Sequence, residues 1–141
     1  MKEFHAHIHE EVLKSNDFRR VLFIGEKSQL VIMSIAPHSE IGEEVHEHVE
    51  QTLCFVEGKG IAVLNHVEYP VIGGDIVVVP PGTRHNFINT ENKPLKLFTV
   101  YAPANHIDGR IHVTLEEALK DDEDEQYGHD NGELNKNFKN K

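Results

Sequence analysis

Cysteine is scarce in this sequence, which contains a single one, Cys54, among its 141 residues. One cysteine cannot form an intramolecular disulfide, and it cannot supply the several thiolates of a cysteine-based metal site. The sequence therefore excludes a disulfide framework, and we expect that the protein does not need an oxidising compartment.

Long apolar runs are also missing. The two longest, residues 30–36 and 76–79, fall far short of the roughly 20 apolar residues that a membrane-spanning helix needs. The first residues, MKEFHAHIHE, lack the apolar stretch of a signal peptide. We therefore expect a cytoplasmic protein without a membrane partner.

Basic residues are outnumbered, because 14 Lys and Arg stand against 24 Asp and Glu and give a formal net charge of -10 at pH 7. Affinity for nucleic acid rests largely on clustered Lys and Arg that displace counterions from the phosphates. The composition therefore argues against nucleic acid as a partner, and the partner that we expect is a small-molecule ligand.

Acidic residues collect near the C-terminus, where the run DDEDE occupies residues 121–125. A run of like charges followed by a polar ending is typical of solvated tails. We therefore predict a disordered acidic and polar tail over residues 121–141. The remaining chain divides into an N-terminal segment, residues 1–17, and one domain with its own core, residues 18–120.

The central part of the chain, residues 18–101, is a series of short β-rich runs separated by turn residues. Many short strands without helical patterns between them favour an all-β sandwich or barrel. One helix signal follows, because Thr114 and Glu117 form a capping box that predicts a short C-terminal helix over residues 114–120. The runs predicted as strands are FRRVLFI, SQLVIMSIA, TLCFVE, IAVLN, DIVVVP, HNFIN and PLKLFTVY.

Potential metal ligands crowd the segment GEEVHEHVEQ, residues 42–51, just before an apolar strand. Imidazole nitrogens together with carboxylate or amide oxygens suit Mn, Fe, Ni, Cu or Zn, and affinity alone does not choose among these metals. Taken by itself, the segment fits a solvated charged turn as well as it fits a metal site.

The segment GDIVVVPPGTRHNFIN, residues 74–89, places Gly74, Pro80, Gly82, His85 and Asn89 at fixed spacings. This pattern resembles the second cupin motif, and every position of that motif is matched. The Pro-Pro-Gly turn reverses the chain, so His85, early on the next strand, is expected to project into the mouth of a barrel.

The first cupin motif leaves two ligand sets open. In the register of the family the set is Glu44, His46, Gln51 and His85, with Gln51 in the place of the usual glutamate. In the rival set His48 replaces Glu44, because residues 46–48 read HEH. The alternation of a strand does not decide between them, since Glu44 and His48 fall on the same face as His46.

The resemblance covers residues 29–102 and is closest to the small proteins described as mannose-6-phosphate isomerase-like cupins. It implies a single-domain double-stranded β-helix, or jelly-roll barrel, that is commonly a homodimer and holds one divalent transition metal ion. Cupins include isomerases, dioxygenases, decarboxylases and sugar-binding domains, and a fold does not choose among functions.

Our first hypothesis for the function is a metal-dependent enzyme with isomerase-like, Lewis-acid chemistry on a small carbohydrate or related oxygenated metabolite. The alternatives are an Fe-dependent dioxygenase and a non-catalytic sugar-binding or sensing module.

The last predicted strand carries a candidate catalytic residue. If Lys96 faces solvent, the alternation of the strand turns Tyr101 inward. There its phenol is either a general acid or base near the metal, or a structural group that satisfies its own hydroxyl. His106 and His112 follow this strand and are expected in a surface loop.

Overall fold

The computed structural model describes residues 2–136, which fold into nine strands and three helices. The helices are α1 (Ile8–Lys14), α2 (Leu115–Leu119) and α3 (Asp122–Asn135). The strands are β1 (Arg19–Ile24), β2 (Gln29–Ile35), β3 (Glu50–Glu57), β4 (Lys59–Leu64), β5 (Val67–Ile72), β6 (Ile76–Val79), β7 (His85–Asn89), β8 (Leu95–Ala102) and β9 (Ile111–His112).

The strands form two antiparallel sheets that face each other. One has six strands in the order β6-β3-β8-β2-β1-β9, and the other has three in the order β5-β4-β7. Phe55 of the first sheet and Phe87 of the second meet between them, with ring centroids 6.0 Å apart. The predicted all-β fold with two layers around one core is therefore confirmed.

Strands β3 and β8 pair with each other and follow the period of two that their sequences predict. On β3 the side chains of Gln51, Leu53 and Phe55 are buried, whereas Cys54 is half-buried. The alternation of buried and less buried side chains expected of a strand therefore holds on β3. On β8 the inward residues are Leu97, Thr99 and Tyr101.

Lys96 departs from the prediction that it faces solvent, because the residue is only 6% exposed. Its Nζ donates hydrogen bonds to the carbonyl oxygens of Leu13 at 3.0 Å and Ser15 at 2.7 Å and to Oδ1 of Asn16 at 3.2 Å. The chain around α1 covers the outer face of β8 and satisfies the ammonium group, so Lys96 is buried on the side opposite the barrel interior.

Strand β5 was not predicted from the sequence. It contains Pro70, and most of its side chains are exposed. Proline is tolerated at the edge of a sheet because no neighbour needs its missing N–H on the open side, and β5 lies at the edge of the three-stranded sheet. Strand β9 is only two residues long, which is too short to produce a sequence signal.

Helix α2 begins as the capping box predicts. Thr114 is its N-cap, and the hydroxyl oxygen of Thr114 accepts a hydrogen bond from the Glu117 N–H at 3.2 Å. The predicted short C-terminal helix is therefore confirmed. No helix within residues 2–136 combines the length and the apolar composition that crossing a membrane requires.

Helix α3 corrects the prediction of a disordered tail over residues 121–141. Asp121 caps this helix by accepting a hydrogen bond from the Asp124 N–H at 3.1 Å, and acidic residues fill the first turn, where the helix dipole favours negative charge. Asp124, Gly128 and Gly132 are buried where the helix packs on the rest of the domain. Residues 137–141 of the predicted tail lie outside the described residues.

Candidate metal centre

The backbone brings Glu44 and His85 together. Glu44 lies in the loop between β2 and β3, and its N–H donates to the His85 carbonyl while the His85 N–H donates to the Glu44 carbonyl, both at 2.9 Å. The same loop is tied to the turn before β7, since the Gly82 N–H donates to the His46 carbonyl at 2.8 Å. Gly82 has a φ of 81°, in the left-handed region that favours glycine.

Three side chains converge from these segments. The ligand atoms of Glu44, His46 and His85 all lie within 4.8 Å of one another. Nε2 of His46 is 2.8 Å from Oε2 of Glu44, and the rings of His46 and His85 are 5.1 Å apart between centroids. Two imidazoles and one carboxylate in this arrangement are a donor set that suits first-row divalent metals.

The tautomer of His85 is fixed by the turn that precedes its strand. Its Nδ1 lies 2.8 Å from the carbonyl oxygen of Thr83, which can only accept a hydrogen bond, so Nδ1 carries the proton. The lone pair of a neutral imidazole then lies on Nε2, the arrangement typical of a ligating histidine. Burial lowers the pKa of His85, which favours this neutral form.

Glu44 is held in its ionised form. Burial alone would raise the pKa of its carboxyl, but the hydrogen bond and electrostatic attraction to His46, together with the positive charge of Arg19, outweigh burial. The pKa of Glu44 therefore lies well below its ordinary value of 4.5. An ionised carboxylate beside two imidazoles is ready to bind a cation.

Gln51 supplies a further oxygen inside the barrel. The residue is 3% exposed, and its Nε2 donates to Oγ1 of Thr99 at 3.1 Å, which fixes the direction of the amide. Oε1 is buried and has no hydrogen-bond partner among the described residues. A buried acceptor without a partner is costly, and a bound cation is one group that would satisfy it.

His48 lies apart from the other predicted ligands. Its Nε2 is 3.2 Å from Oε1 of Glu133 on α3, and its side chain is 34% exposed. The loop between β2 and β3 is not a regular strand here, so the alternation that placed Glu44, His46 and His48 on one face does not hold. The structure gathers Glu44 with His46 and His85, and it directs His48 toward the helix.

Tyr101 lies inside the barrel next to this cluster. The residue is 2% exposed, and its ring is 6.4 Å from the ring of His46 between centroids. Burial raises the pKa of its phenol to about 12, although the nearby Arg19 acts in the opposite direction. Tyr101 therefore keeps its proton at neutral pH and is available as a donor.

Three buried residues near the cluster were not predicted from the sequence to lie there: Arg19, His106 and Asp124. His106 and His112 were expected at the surface, yet they are 6% and 3% exposed. Helix α3 covers their loop, and a carboxylate meets each imidazole: Asp124 lies 2.7 Å from His106, and Asp121 lies 2.8 Å from His112. For Arg19 a signal existed, since it alternates with the buried Val21 on β1.

A cavity of about 520 Å³ opens over the cluster. Its walls are the loop between β2 and β3, the loop after β8, and helices α2 and α3, and Arg19, Glu44 and His46 contribute to its lining. This volume is in the range of pockets that hold a small metabolite. The cavity could not be predicted from the sequence, because α3 forms much of its wall.

Two antiparallel sheets around one core, with two histidines and a carboxylate gathered at a cavity, define the class of double-stranded β-helix proteins. The comparison with known families agrees. Residues 31–101, about half of the chain, match the family model described as Cupin domain, and the chain belongs to that family.

The chain also has relatives among known proteins. It is 38% identical over 124 residues to the uncharacterized protein YrkC of Bacillus subtilis strain 168, an alignment that covers 84% of this chain and 67% of YrkC. It is 36% identical over 112 residues to the uncharacterized protein L612 of Acanthamoeba polyphaga mimivirus, covering 77% of this chain and 70% of L612.

Among solved structures, the fold is similar to the crystal structure of BH2720 from Bacillus halodurans. The two superpose with a TM-score of 0.82 at 35% sequence identity, over 84% of this chain and 94% of that chain.

Proposed function

We propose that this cupin is a metal-dependent enzyme that acts on a small carbohydrate or related oxygenated metabolite. One divalent transition metal ion, chosen from Mn, Fe, Ni, Cu and Zn, binds at Glu44, His46 and His85. The observation that carries the proposal is the convergence of these three ligand atoms within 4.8 Å. The unpartnered Oε1 of Gln51 supports it as a fourth ligand atom, because this oxygen is buried in the barrel interior.

A bound divalent ion would supply Lewis-acid polarisation of a substrate carbonyl, the chemistry that isomerisation needs. The protein supplies the remaining parts. Tyr101 holds its phenolic proton beside His46 and acts as the general acid or hydrogen-bond donor. Helix α3 forms one wall of the cavity and would shield a bound substrate from water on that side. This chemistry is the isomerase-like function that the resemblance to mannose-6-phosphate isomerase-like cupins implies.

A second candidate is an Fe-dependent dioxygenase, and one observation favours it. Two histidines and one carboxylate form the donor set that non-haem iron oxygenases use. Iron would supply the reaction with O₂, and the cavity would hold the organic substrate. The two candidates share the same ligands and differ in their need for O₂.

The metal content of protein purified without added metal tests the shared part of both candidates. We expect about one equivalent of a divalent metal per chain in the native protein and a large loss in His85→Ala, because losing an imidazole opens the ligand set. His9→Ala is the matched control, since His9 is exposed on α1. A His85→Ala variant that retains stoichiometric metal contradicts the proposal.

Turnover then separates the candidates. An isomerase works equally well with and without air, whereas a dioxygenase consumes O₂ in proportion to product. Saturable sugar binding without turnover under either condition identifies the chain as a binding or sensing module. The cytoplasmic location and the homodimer stay predictions, and light scattering of the purified protein measures the number of chains in the particle.

A further inference from the structure

Arg19 has a positive charge that has no role in the proposed metal chemistry. Its side chain lies on the inner face of β1 and is 7% exposed, whereas the neighbouring Arg20 is exposed to solvent. Buried arginines are normally paired with a carboxylate because an unpaired buried charge is costly. Even the more exposed Arg84 and Arg110 pair with carboxylates. Arg19 forms no ion pair with any of residues 2–136, and its Nε has no hydrogen-bond partner there.

The guanidinium group is directed at the cavity. Arg19 lines it together with Glu44 and His46. Its positive charge acts to lower the pKa values of three groups around the cavity and the barrel interior: Glu44, Tyr101 and His106. Arg19 hydrogen-bonds to the phenol of Tyr101, while its Nε has no partner among the described residues. A planar guanidinium in a protected site is the group that proteins use to bind a carboxylate with two parallel hydrogen bonds.

The mouth of the same cavity has the opposite charge. Four exposed carboxylates line it, two from the loop between β2 and β3 and two from α3: Glu43, Glu47, Glu125 and Glu133. Arg19 is the one lysine or arginine among the lining residues. Glu43 and Glu133 are partly balanced by Arg84, His48 and Lys136, whereas Glu47 and Glu125 form no ion pair with the described residues. A ligand with a second negative group directed outward would therefore still meet like charges, which repel it.

We infer that Arg19 binds the carboxylate of the ligand and that the ligand class is a small hydroxy- or keto-monocarboxylate whose remaining part is neutral or cationic. The oxygen next to the carboxylate then faces Glu44, His46 and His85, the ligands of the proposed metal. This inference rests on the proposed function, because it names the substrate class of the same site.

Calorimetric titration of the purified, metal-containing protein with three probes tests the inference. Glycolate carries one carboxylate next to a hydroxyl, glycolamide is its neutral counterpart, and inorganic phosphate carries more negative charge. We expect glycolate to bind at least about tenfold more tightly than glycolamide, and phosphate to bind more weakly than glycolate. Equal affinity for glycolate and glycolamide, or tighter binding of phosphate, overturns the assignment.

Two variants assign the preference to Arg19. Arg19→Gln should bind glycolate and glycolamide with similar affinity, because the cationic partner of the carboxylate is gone. Arg20→Gln is the matched control, since it removes the adjacent charge on the outer face, and it should keep the preference of the native protein. A preference for glycolate that survives in Arg19→Gln contradicts the inference. If Arg19→Gln does not fold, Arg19→Lys keeps the charge without the planar fork and should lose part of the preference.

Metal analysis of the same samples distinguishes this inference from the proposed function. Arg19→Gln should retain the metal of the native protein, because Arg19 is not a ligand. If the native protein holds no metal, the proposed function fails. In that case the titration of EDTA-treated protein still shows whether Arg19 selects a carboxylate over an amide.

Discussion

Nδ1 of His106 lies 2.7 Å from Oδ2 of Asp124, and both side chains are buried. The second oxygen of Asp124 accepts a hydrogen bond from the Ile107 N–H, also at 2.7 Å. Asp124 is therefore the residue through which α3 is joined to the loop after β8. Because α3 forms a wall of the cavity, this contact connects the stability of the helix with the shape of the site.

The first prediction concerns that contact. Asp124→Ala should lower the free energy of unfolding by about 2–3 kcal/mol, because the imidazole of His106 and the N–H of Ile107 lose a buried, charged acceptor. Urea unfolding at pH 7 measures the change. Asp130→Ala, on the exposed face of the same helix, should change it by less than about 0.5 kcal/mol. If the tail had no fixed structure, as its composition suggested, neither variant would change the free energy of unfolding.

Stability should also fall as the pH falls, and His106 is the main cause. Burial, followed by the positive charge of Arg19, lowers its pKa from 6.5 to about 4, although Asp124 and Glu44 act in the opposite direction. Between these two values the unfolded chain binds a proton that the folded chain does not bind. The free energy of unfolding therefore decreases as the pH drops from about 6.5 to about 4, by on the order of 2–3 kcal/mol.

A single variant tests this pH dependence. His106→Asn keeps an N–H donor for Asp124 but does not titrate, so urea unfolding between pH 7 and pH 4.5 should show a flatter profile than the native protein. His9→Ala removes an exposed histidine and should leave the profile unchanged. If His106→Asn shows the native profile, another group carries the pH dependence.

The two buried glycines of α3 should respond to alanine in opposite directions. A Cβ at Gly128 would lie 2.5 Å from the carbonyl oxygen of Asn105, which is a backbone atom and cannot easily move. A Cβ at Gly132 would meet only His48 and Val49, both at 3.6 Å, an ordinary contact distance.

Gly128→Ala should therefore destabilise the protein by about 1–3 kcal/mol. Gly132→Ala should stabilise it by about 0.5–1 kcal/mol, because alanine favours the helical backbone. Thermal or urea unfolding measures the stability of both variants, whose substituted positions lie about one helical turn apart. A stabilised Gly128→Ala would show that α3 does not approach the loop after β8 as closely as the structure has it.

Much of the barrel could be predicted because its signals are local. The alternation of Gln51, Leu53 and Phe55 on β3 follows from the period of a strand, and the capping box at Thr114 defines the start of α2. The position of His85 follows from a turn whose proline and glycine residues restrict the backbone. In each case neighbouring residues along the chain carry the information.

Helix α3 could not be predicted in the same way, because it packs through tertiary contacts of small and polar residues. Its buried face consists of Asp124, Gly128 and Gly132, so no apolar stripe marks it. The acidic run at its start favours the beginning of a helix, with Asp121 as the N-cap. The same run is also typical of a solvated tail. The burial of His106 and His112 depends on this helix, so it could not be predicted without predicting α3.

The last prediction addresses the choice between Glu44 and His48 as the partner of His46. Glu44 lies within the three-residue cluster, whereas His48 contacts Glu133 on α3. A set with Glu44 carries one negative charge and should hold a divalent ion more tightly than a set with His48, which carries none.

Glu44→Gln should therefore weaken the binding of Mn²⁺ or Zn²⁺ by about tenfold or more, because an ionised oxygen next to two imidazoles becomes a neutral amide. His48→Gln should change the affinity by less than about twofold, since it removes only a partly exposed contact with Glu133. Competitive titration of the metal-free proteins with a chelating dye measures both affinities, and circular dichroism confirms that both variants fold. The reverse order of the two effects would reject the register that includes Glu44 and would identify His46, His48, Gln51 and His85 as the metal site.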